Sequence, residues 1–405
     1  MKIFHKLLPL ATGYFGVSSA LYDFDGLVVI YGPAGGAWHI NIEDEPRWYR
    51  GPATVVGAGL LEMDVILGNE DKFIDNIAKV ATELDRKFVA LAGTPISEII
   101  GTDLKGFART LETRTGLPVF MVPTAGSEPY PEGASKAFLA LARKFMRPPE
   151  ATREKSLNVL GAIHLSTGKP QHIEPLLAAL EEAGYALTSV FSVARPGQAD
   201  PLRAVGEAPT AACNLVVSAS GLALAEHMYA TYRTPYVVGL PVGRQGLDDL
   251  LALLERRPVA ETTPSSRQAP FAHALVIGEP VVSYGIKHCL CREFGLPEVG
   301  VVSVTPSEAL FHDAPGCLGR LAARGPHDLD TDAEQAIAAR LGDPAVDLVV
   351  ADPCYESLLS RPVRFIPLPH IAMSARFHWD MPYEYAVEAG SAYLAGALDA
   401  GPVGR

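Results

Sequence analysis

The sequence predicts an α/β protein of three Rossmann-like domains, whose parallel sheets are flanked by helices. Short, continuously apolar runs alternate with stretches of helical period, which is typical of parallel strands buried on both faces. This alternation restarts twice along the chain. A length of 405 residues accommodates two or three α/β units.

The first domain is predicted over residues 1–150. Its strand candidates are the apolar runs at residues 27–31, 87–92 and 118–122. Residues 72–84 between them predict an amphipathic helix, because Phe73, Ile77, Val80 and Leu84 recur at steps of three and four.

The second and third domains, predicted over residues 151–265 and 271–370, resemble each other. Each begins with a strand–helix–strand unit whose helix ends at a glycine, Gly184 or Gly295. Each later contains a similar strand, NLVVSAS from Asn214 and DLVVADP from Asp347. This similarity predicts an internal repeat of a Rossmann-like unit, with ligand crevices at the carboxyl ends of the strands.

The remaining predicted elements follow the same reasoning. Residues 256–270, rich in Arg, Pro, Thr and Ser, predict a linker. Residues 371–405 predict a C-terminal loop and helix that pack back on the domains. The predicted strands lie at residues 157–163, 185–191, 214–218, 236–240, 274–278, 299–304, 347–351 and 364–368, and the helices at 172–183, 222–232, 281–294 and 383–398.

Composition excludes several classes of protein. The net charge of −12, without a run of Lys or Arg, argues against nucleic-acid binding. No apolar segment reaches the roughly 18 residues of a membrane span, and no secretory signal is evident, so we expect a cytoplasmic protein without a membrane partner. The five cysteines are odd in number and all lie in the second half, which argues against a disulfide framework.

Two loops near the N-terminus are candidate binding sites. In YGPAGGAWHI, Gly32, Gly35 and Gly36 permit close approach of a ligand to the backbone, although a simple tight turn also explains them. His39 after them is either a ligand or acid in a pocket, or a structural histidine. In GTPISEIIGTDLKGF, Glu98 and Asp103 follow a strand, and a binding loop or a loop with helix caps explains them equally.

A third candidate lies near the C-terminus, in HIAMSARFHWDMPYEYAVEAG. His378 and Trp379 belong to a mixture of histidines, aromatics and charges that suits a pocket for a large ring or a cluster. Packing of the C-terminal helix explains the same residues.

Taken in order, these segments resemble the nitrogenase component 1 type oxidoreductases, which include nitrogenase α and β subunits and nitrogenase-like reductases of tetrapyrrole biosynthesis. YGPAGG stands where the family has His-Gly-Pro-x-Gly-Cys. Glu62, Asp64, Gly68 and Lys72 match an acidic family segment, the residues from Glu98 to Asp103 match Glu-Ile-Ile-Gly-Asp-Asp, and HWDMPYEY is similar to a C-terminal Trp-Asp-x-x-x-Pro-Tyr segment.

The departures fall at the family's cluster ligands. Gly36 and Pro95 stand at two cysteine positions, and residues 9–11, near a third, contain no cysteine. Neither glycine nor proline offers iron a side-chain ligand. The cysteine that binds the catalytic cofactor would fall near residues 217–218, and Cys213 lies about one turn away. The resemblance therefore implies an iron–sulfur cluster only where a partner subunit supplies most of its ligands.

The other cysteines predict no metal site. Cys289 and Cys291 do not share a helix face, and Cys317 and Cys354 lie in separate loops. We interpret them as buried or incidental thiols, of which Cys354, in ADPCYE after a strand, is the best candidate ligand.

The resemblance implies a subunit of a two-component oxidoreductase that receives electrons from an ATP-dependent iron–sulfur reductase. Its partner would be a paralogous subunit or a second copy of itself. The missing cysteines favour an alternative, a non-redox scaffold or a binding protein for a metallocofactor or tetrapyrrole. A periplasmic-binding-like or glycosyltransferase-like protein is disfavoured, because neither a signal peptide nor a nucleotide-sugar pattern is evident. Substrate and catalytic residues stay unassigned.

Overall fold

Three parallel sheets make up the protein in the computed structural model, which describes residues 4–33, 35, 40, 45, 47, 55–68, 70–193, 200–259 and 271–399. Every strand pair within the sheets is parallel, and helices connect most of the strands. The predicted α/β architecture of three Rossmann-like units is confirmed. Among the described residues, no helix combines the length and apolarity needed to cross a lipid bilayer.

The first sheet has the strand order β2-β1-β3-β4. Strands β1 and β3 are buried along their whole length, as expected for continuous apolar runs covered on both faces. The strands are β1 (Leu27–Ile30), β2 (Val55–Gly57), β3 (Val89–Ala92) and β4 (Val119–Val122), and the helices are α1 (Gly13–Leu21), α2 (Glu62–Leu67), α3 (Glu70–Glu83), α4 (Pro95–Ile99), α5 (Leu104–Thr115) and α6 (Tyr130–Phe145).

The second sheet has the order β11-β8-β7-β5-β6. Its strands are β5 (Arg153–Leu160), β6 (Ala186–Val190), β7 (Ala211–Val216), β8 (Tyr236–Val238) and β11 (Cys317–Arg320). Its helices are α7 (His164–Thr167), α8 (Glu174–Glu182), α9 (Pro201–Glu207), α10 (Leu222–Tyr232) and α11 (Gly243–Leu254).

The third sheet has the order β12-β10-β9-β13-β14. Its strands are β9 (His273–Gly278), β10 (Glu298–Ser303), β12 (Leu329–Asp330), β13 (Leu348–Ala351) and β14 (Arg364–Pro367). The helices of this part are α12 (Pro280–Arg292), α13 (Glu308–Phe311), α14 (Glu334–Leu341), α15 (Ile371–Ser374) and α16 (Val387–Asp399). Short 3-10 helices lie at Tyr22–Phe24, Pro170–His172, Ala208–Thr210, Ala219–Gly221 and Pro353–Leu358.

The sheets repeat one topology. If the four main strands of each are numbered in chain order, all three sheets read 2-1-3-4. The similar sequences from Asn214 and Asp347 form the third strand of this order, β7 and β13. Strand β11 follows residue 271 in the chain yet pairs with β8 of the second sheet. This pairing joins a strand from the predicted third domain to the sheet of the second. The domain boundaries, residues 1–150, 151–265 and 271–370, therefore remain a prediction from the sequence.

Some elements differ from the sequence analysis. Several helices, among them α1, α5, α11 and α14, were not predicted, and the C-terminal helix begins at Val387 rather than at residue 383. Helix α1 contains two glycines and two serines and is buried on most sides, so it has neither high helix propensity nor an amphipathic pattern. Of the predicted linker, residues 260–270 lie outside the described residues.

Glycines bring α1 and α6 into backbone contact. A Cβ on Gly16 would lie 1.9 Å from the carbonyl oxygen of Tyr130, and one on Gly133 would lie 1.9 Å from that of Gly13. Both distances are far below van der Waals contact, so only glycine permits this approach. The contact fixes the start of α6, where Tyr130 is fully buried.

We predict that Gly133→Ala destabilises the protein by about 1–3 kcal/mol, because the helices must separate to admit the methyl group. The matched control is Gly396→Ala in α16, whose added Cβ meets no atom within 4 Å. That change is expected to be neutral or to stabilise by up to about 1 kcal/mol. Urea unfolding of both variants checks this, and equal midpoints would contradict the backbone contact.

Candidate functional site

The first candidate site is the carboxyl edge of the first sheet, where Gly32 follows β1. Gly32 is buried, and an added Cβ would lie 3.0 Å from the side chain of Thr94. The Thr94 hydroxyl donates to the carbonyl oxygen of Tyr31 at 2.8 Å. Gly32 thus permits close packing between the ends of β1 and β3.

The other predicted residues of the glycine-rich turn are less constrained. Gly35 is exposed, and no described residue lies within 4 Å of a Cβ added to it. Gly36 and His39 lie outside the described residues, so their proposed binding role stays a prediction.

Glu98 and Asp103 lie at the same edge, and both are exposed. Asp103 caps α5, because its Oδ1 accepts a hydrogen bond from the Gly106 amide at 2.9 Å. Glu98 lies in α4, whose first turn is closed by reciprocal bonds between Thr94 and Ser97. Asp103 therefore serves as a helix cap. Ligand binding by Glu98 or Asp103 remains a prediction.

A cleft of about 200 Å³ separates α2 from the end of α4. Asp64 and Lys72, two residues of the acidic family segment, line it and form an ion pair at 3.3 Å. Tyr31 closes its inner side, and burial raises the pKa of that phenol. Asp64, Gly68 and Lys72 of this segment therefore line one wall of a cleft.

Large apolar side chains are exposed beside this cleft. Ile99 is 83% exposed and Ile66 is 73% exposed. Eight exposed apolar side chains lie on α2, on α4 and on the residues that flank these helices, and together we call them the apolar rim. They are Leu61, Met63, Val65, Ile66, Leu67, Ile96, Ile99 and Ile100. Leu61, Val65 and Ile100 all line the cleft, so the two parts of the rim flank one opening.

An iron–sulfur cluster does not fit this edge with the ligands of this chain alone. The first cysteine of the sequence is Cys213, so the first sheet and its loops contain no thiolate. Pro95, at one family cysteine position, is exposed at the start of α4 and packs beside Gly126. No step of a reaction is therefore assigned to a cluster held by this chain.

The second candidate site is a buried polar junction, which we define as Tyr130, Ser166, Glu279, Asp352 and His370. The Tyr130 hydroxyl lies 2.9 Å from Nε2 of His370 and accepts from the Ser166 hydroxyl at 3.2 Å. The His370 amide donates to Oδ2 of Asp352 at 2.7 Å. These residues come from segments that follow β4, β5, β9, β13 and β14, so the carboxyl ends of all three sheets meet here.

Glu279 joins the second and third sheets within this junction. Its carboxylate accepts from the Ala219 amide, which follows β7, at 2.7 Å and from the Val282 amide at 2.8 Å. The residue is buried, and this desolvation raises its pKa to about 7. Burial lowers the pKa of His370 to about 4, which favours neutral imidazole beside Asp352.

The third predicted site, His378 and Trp379, lies in the turn after α15. The Lys169 ammonium lies 5.1 Å from the centre of the Trp379 ring and also donates to its carbonyl oxygen. One face of this ring is thus in a cation–π contact within the chain. His378 is half-buried, and one of its ring nitrogens lies within 4.8 Å of donor atoms of Asp352 and Cys354.

The sequence analysis did not select Tyr130, Ser166, Glu279 or Asp352. Asp352 directly follows β13 and Glu279 directly follows β9, so their position after an apolar strand was the available signal. Near the expected position of the family's cofactor cysteine, the Ser218 hydroxyl donates to the Gly161 carbonyl oxygen at 2.5 Å. Cys213 lies buried in β7, and desolvation raises its pKa to about 12.

Comparison with known proteins agrees with this architecture. The family described as nitrogenase component 1 type oxidoreductase matches residues 12–350. The chain belongs to this family. A curated family relative, the nitrogenase molybdenum-iron protein beta chain of Methanothermobacter marburgensis, is 23% identical over 367 residues, covering 81% of this chain and 79% of the relative.

Solved structures of nitrogenase Cp1 share the fold of this nitrogenase component 1 type chain. The structure at pH 5 superposes with a TM-score of 0.71 at 16% identity, covering 98% of this chain and 90% of the other. The structure at pH 6.5 superposes with a TM-score of 0.73 at 13% identity, covering 98% of this chain and 93% of the other. At these identities the likeness concerns the fold.

We predict that Gly35→Val leaves the free energy of unfolding within about 0.5 kcal/mol of the parent chain, because no described residue lies within 4 Å of the added Cβ. If the turn binds a ligand or a partner closely, only that binding weakens. Urea unfolding measures the first effect. A loss of stability above about 1 kcal/mol would show that the turn is constrained within the chain.

We predict that Glu279→Gln reduces the pH dependence of stability between pH 4.5 and 7. The pKa of Glu279 rises from 4.5 to about 7 on folding, so the native state binds more protons in this window and its stability falls as pH rises. Between pH 4.5 and 7 the free energy of unfolding of the parent chain therefore falls by up to about 3 kcal/mol more than that of the variant. The histidines are the same in both proteins, so their contribution cancels in the difference between the two stability profiles.

Thermal unfolding at several pH values measures this difference. The control is Glu83→Gln, which removes a carboxylate with an exposed side chain and is expected to leave the pH profile unchanged. Parallel profiles of Glu279→Gln and the parent chain would contradict the role of Glu279.

Proposed function

We propose that this chain is the non-cluster-ligating subunit of a nitrogenase-like two-component oxidoreductase, and that it binds a paralogous, cysteine-bearing subunit through the apolar rim. The observation that carries the proposal is the concentration of exposed apolar side chains at one edge. Among the described residues, thirteen large hydrophobic side chains are exposed, and eight of them belong to the rim. Contiguous exposed apolar patches typically mark interaction sites.

The rim also indicates the chemistry of its partner. Exposed acidic side chains surround it, among them Glu62, Glu70, Glu98 and Asp103. An apolar centre with a charged border is the usual anatomy of a protein interface. We therefore expect a partner face with an apolar centre and a basic border.

The missing ligands favour a paralogue over a second copy of this chain. A dimer that pairs the rims of two copies would bring no cysteine to the interface, because the sequence has none before Cys213. A family subunit with its own cysteines would supply cluster ligands, while this chain closes the cluster off from water. Electrons would then arrive from an ATP-dependent iron–sulfur reductase, a role supported by membership of the family.

We predict that Ile99→Asp and Ile66→Asp each weaken the complex at least about tenfold, because a carboxylate must be desolvated in the interface. The test is anaerobic co-expression with a cysteine-bearing family subunit of the same organism, followed by affinity purification and iron and sulfide analysis. The parent complex is expected to contain both subunits and iron, and this chain alone to contain no iron–sulfur cluster. Leu8→Asp, at a residue 52% exposed outside the rim, is the matched control.

Complexes of unchanged amount and iron content in both rim variants would remove the rim as the interface. A homodimer of this chain that dissociates on Ile99→Asp would replace the paralogue with a second copy. Analytical ultracentrifugation of the isolated chain separates these outcomes.

The absence of cysteines from the first sheet also supports a second candidate, a non-redox scaffold that binds a metallocofactor or tetrapyrrole. A scaffold would hold such a group without accepting electrons. Mixing the purified complex with the ATP-dependent iron–sulfur reductase distinguishes the two functions. ATP-dependent reduction of the complex favours the oxidoreductase, and a bound cofactor that is never reduced favours the scaffold.

A further inference from the structure

Three donor groups of different chemistry meet at the carboxyl end of β13. A carboxylate oxygen of Asp352, the sulfur of Cys354 and a ring nitrogen of His378 all lie within 4.8 Å of one another. Asp352 and Cys354 belong to the turn that follows β13, whereas His378 belongs to the turn after α15. The fold therefore assembles this group from two separate segments.

The carboxylate of Asp352 is buried and held in position. The residue has no exposed surface, its Oδ1 accepts from the Cys354 amide at 2.9 Å, and its Oδ2 accepts from the His370 amide at 2.7 Å. A carboxylate has about four lone-pair sites, and the Cys354 thiol also hydrogen-bonds to this one, so a metal that displaces the thiol proton finds an oxygen lone pair available. Metal-binding carboxylates are commonly oriented by such additional hydrogen bonds.

This carboxylate also lacks a compensating cation in the protein as described. Within the described ranges, the Asp352 carboxylate is contacted by the amides of Cys354 and His370 and by the Cys354 thiol, none of which is a cation. A buried charge is normally paired or bound to a metal. The two amide donors stabilise the carboxylate but carry no net positive charge, so a dication held also by Cys354 and His378 would complement it.

An ion can reach this group from solvent. Cys354 and His378 are only half-buried, and Phe377 and Asp380 on the same turn as His378 are exposed. Only small movements are required, since tetrahedral zinc would bring its ligand atoms to about 3.5 Å from one another. The turn that contains His378 is at the surface, so it provides this freedom.

We propose that Asp352, Cys354 and His378 bind one Zn²⁺ ion, with the fourth coordination position left to water or a ligand. The mixture of oxygen, sulfur and nitrogen donors selects zinc over Mg²⁺ or Ca²⁺, which prefer oxygen ligands only. Binding exchanges the thiol proton for the metal. All three ligands belong to this chain and none belongs to the apolar rim. The test of this site is therefore independent of the test of the subunit proposal.

The test uses the full chain without an affinity tag, purified and dialysed against a chelator, then titrated with Zn²⁺ or Co²⁺. We expect one equivalent of tightly bound zinc per chain by elemental analysis. Bound Co²⁺ is expected to give the thiolate-to-cobalt absorption band in the near ultraviolet together with visible bands of tetrahedral cobalt.

Two variants and two matched controls assign the ligands. Cys354→Ser is expected to abolish the thiolate band, and His378→Ala to weaken zinc binding at least about tenfold. Cys291→Ser, at another half-buried cysteine, and His312→Ala, at an exposed histidine, are expected to retain both properties. Circular dichroism confirms that each variant is folded.

The proposal is overturned if the parent chain binds less than one equivalent of zinc, or if Cys354→Ser keeps the thiolate band. Equal zinc affinity in His378→Ala and His312→Ala would likewise overturn it. Neither variant replaces a buried side chain, and Asp352 is left intact so that loss of the fold does not imitate loss of the metal.

Discussion

The buried carboxylate of Asp352 is the group on which the centre of the molecule depends. A charge in the protein interior requires hydrogen-bond donors, and here the amides of Cys354 and His370 supply them. These bonds fix the turn after β13 and the backbone after β14 relative to each other. His370 then contacts the hydroxyl of Tyr130, which connects the backbone after β14 to the start of α6. One carboxylate thus sets the position of several elements.

The shared strand order explains why so many polar residues meet there. In the second and third sheets the first and third strands are central, and loops at their carboxyl ends supply Ser166, Ala219, Glu279 and Asp352, whereas Tyr130 and His370 follow the fourth strands β4 and β14. Glu279 follows a first strand and contacts the amide of Ala219, which follows a third strand. The glycine contacts between α1 and α6 place Tyr130 beside them. Polar groups from distant parts of the chain therefore hydrogen-bond to one another at this junction.

The chain keeps the family's architecture while lacking its usual metal ligands. The edge of the first sheet has no cysteine and is instead flanked by exposed apolar side chains, which suits protein contact better than cluster binding. The donor groups of the chain lie elsewhere, at the junction and at the turn after β13. The exposed apolar rim and these donor groups therefore lie on different parts of the same fold.

The sequence alone determined the class of fold, because buried parallel strands require continuous apolar runs and their connecting helices require a 3.6-residue period. It also determined the repeat, through the similar strands at Asn214 and Asp347, and the family likeness. Gly35, Glu98 and Asp103 show the limit of that information, since a loop motif does not reveal whether a residue is exposed, buried or a helix cap. Only the tertiary structure placed Asp352, Cys354 and His378 together and exposed the apolar rim. Those relations depend on how segments far apart in the chain pack, and no local pattern encodes that packing.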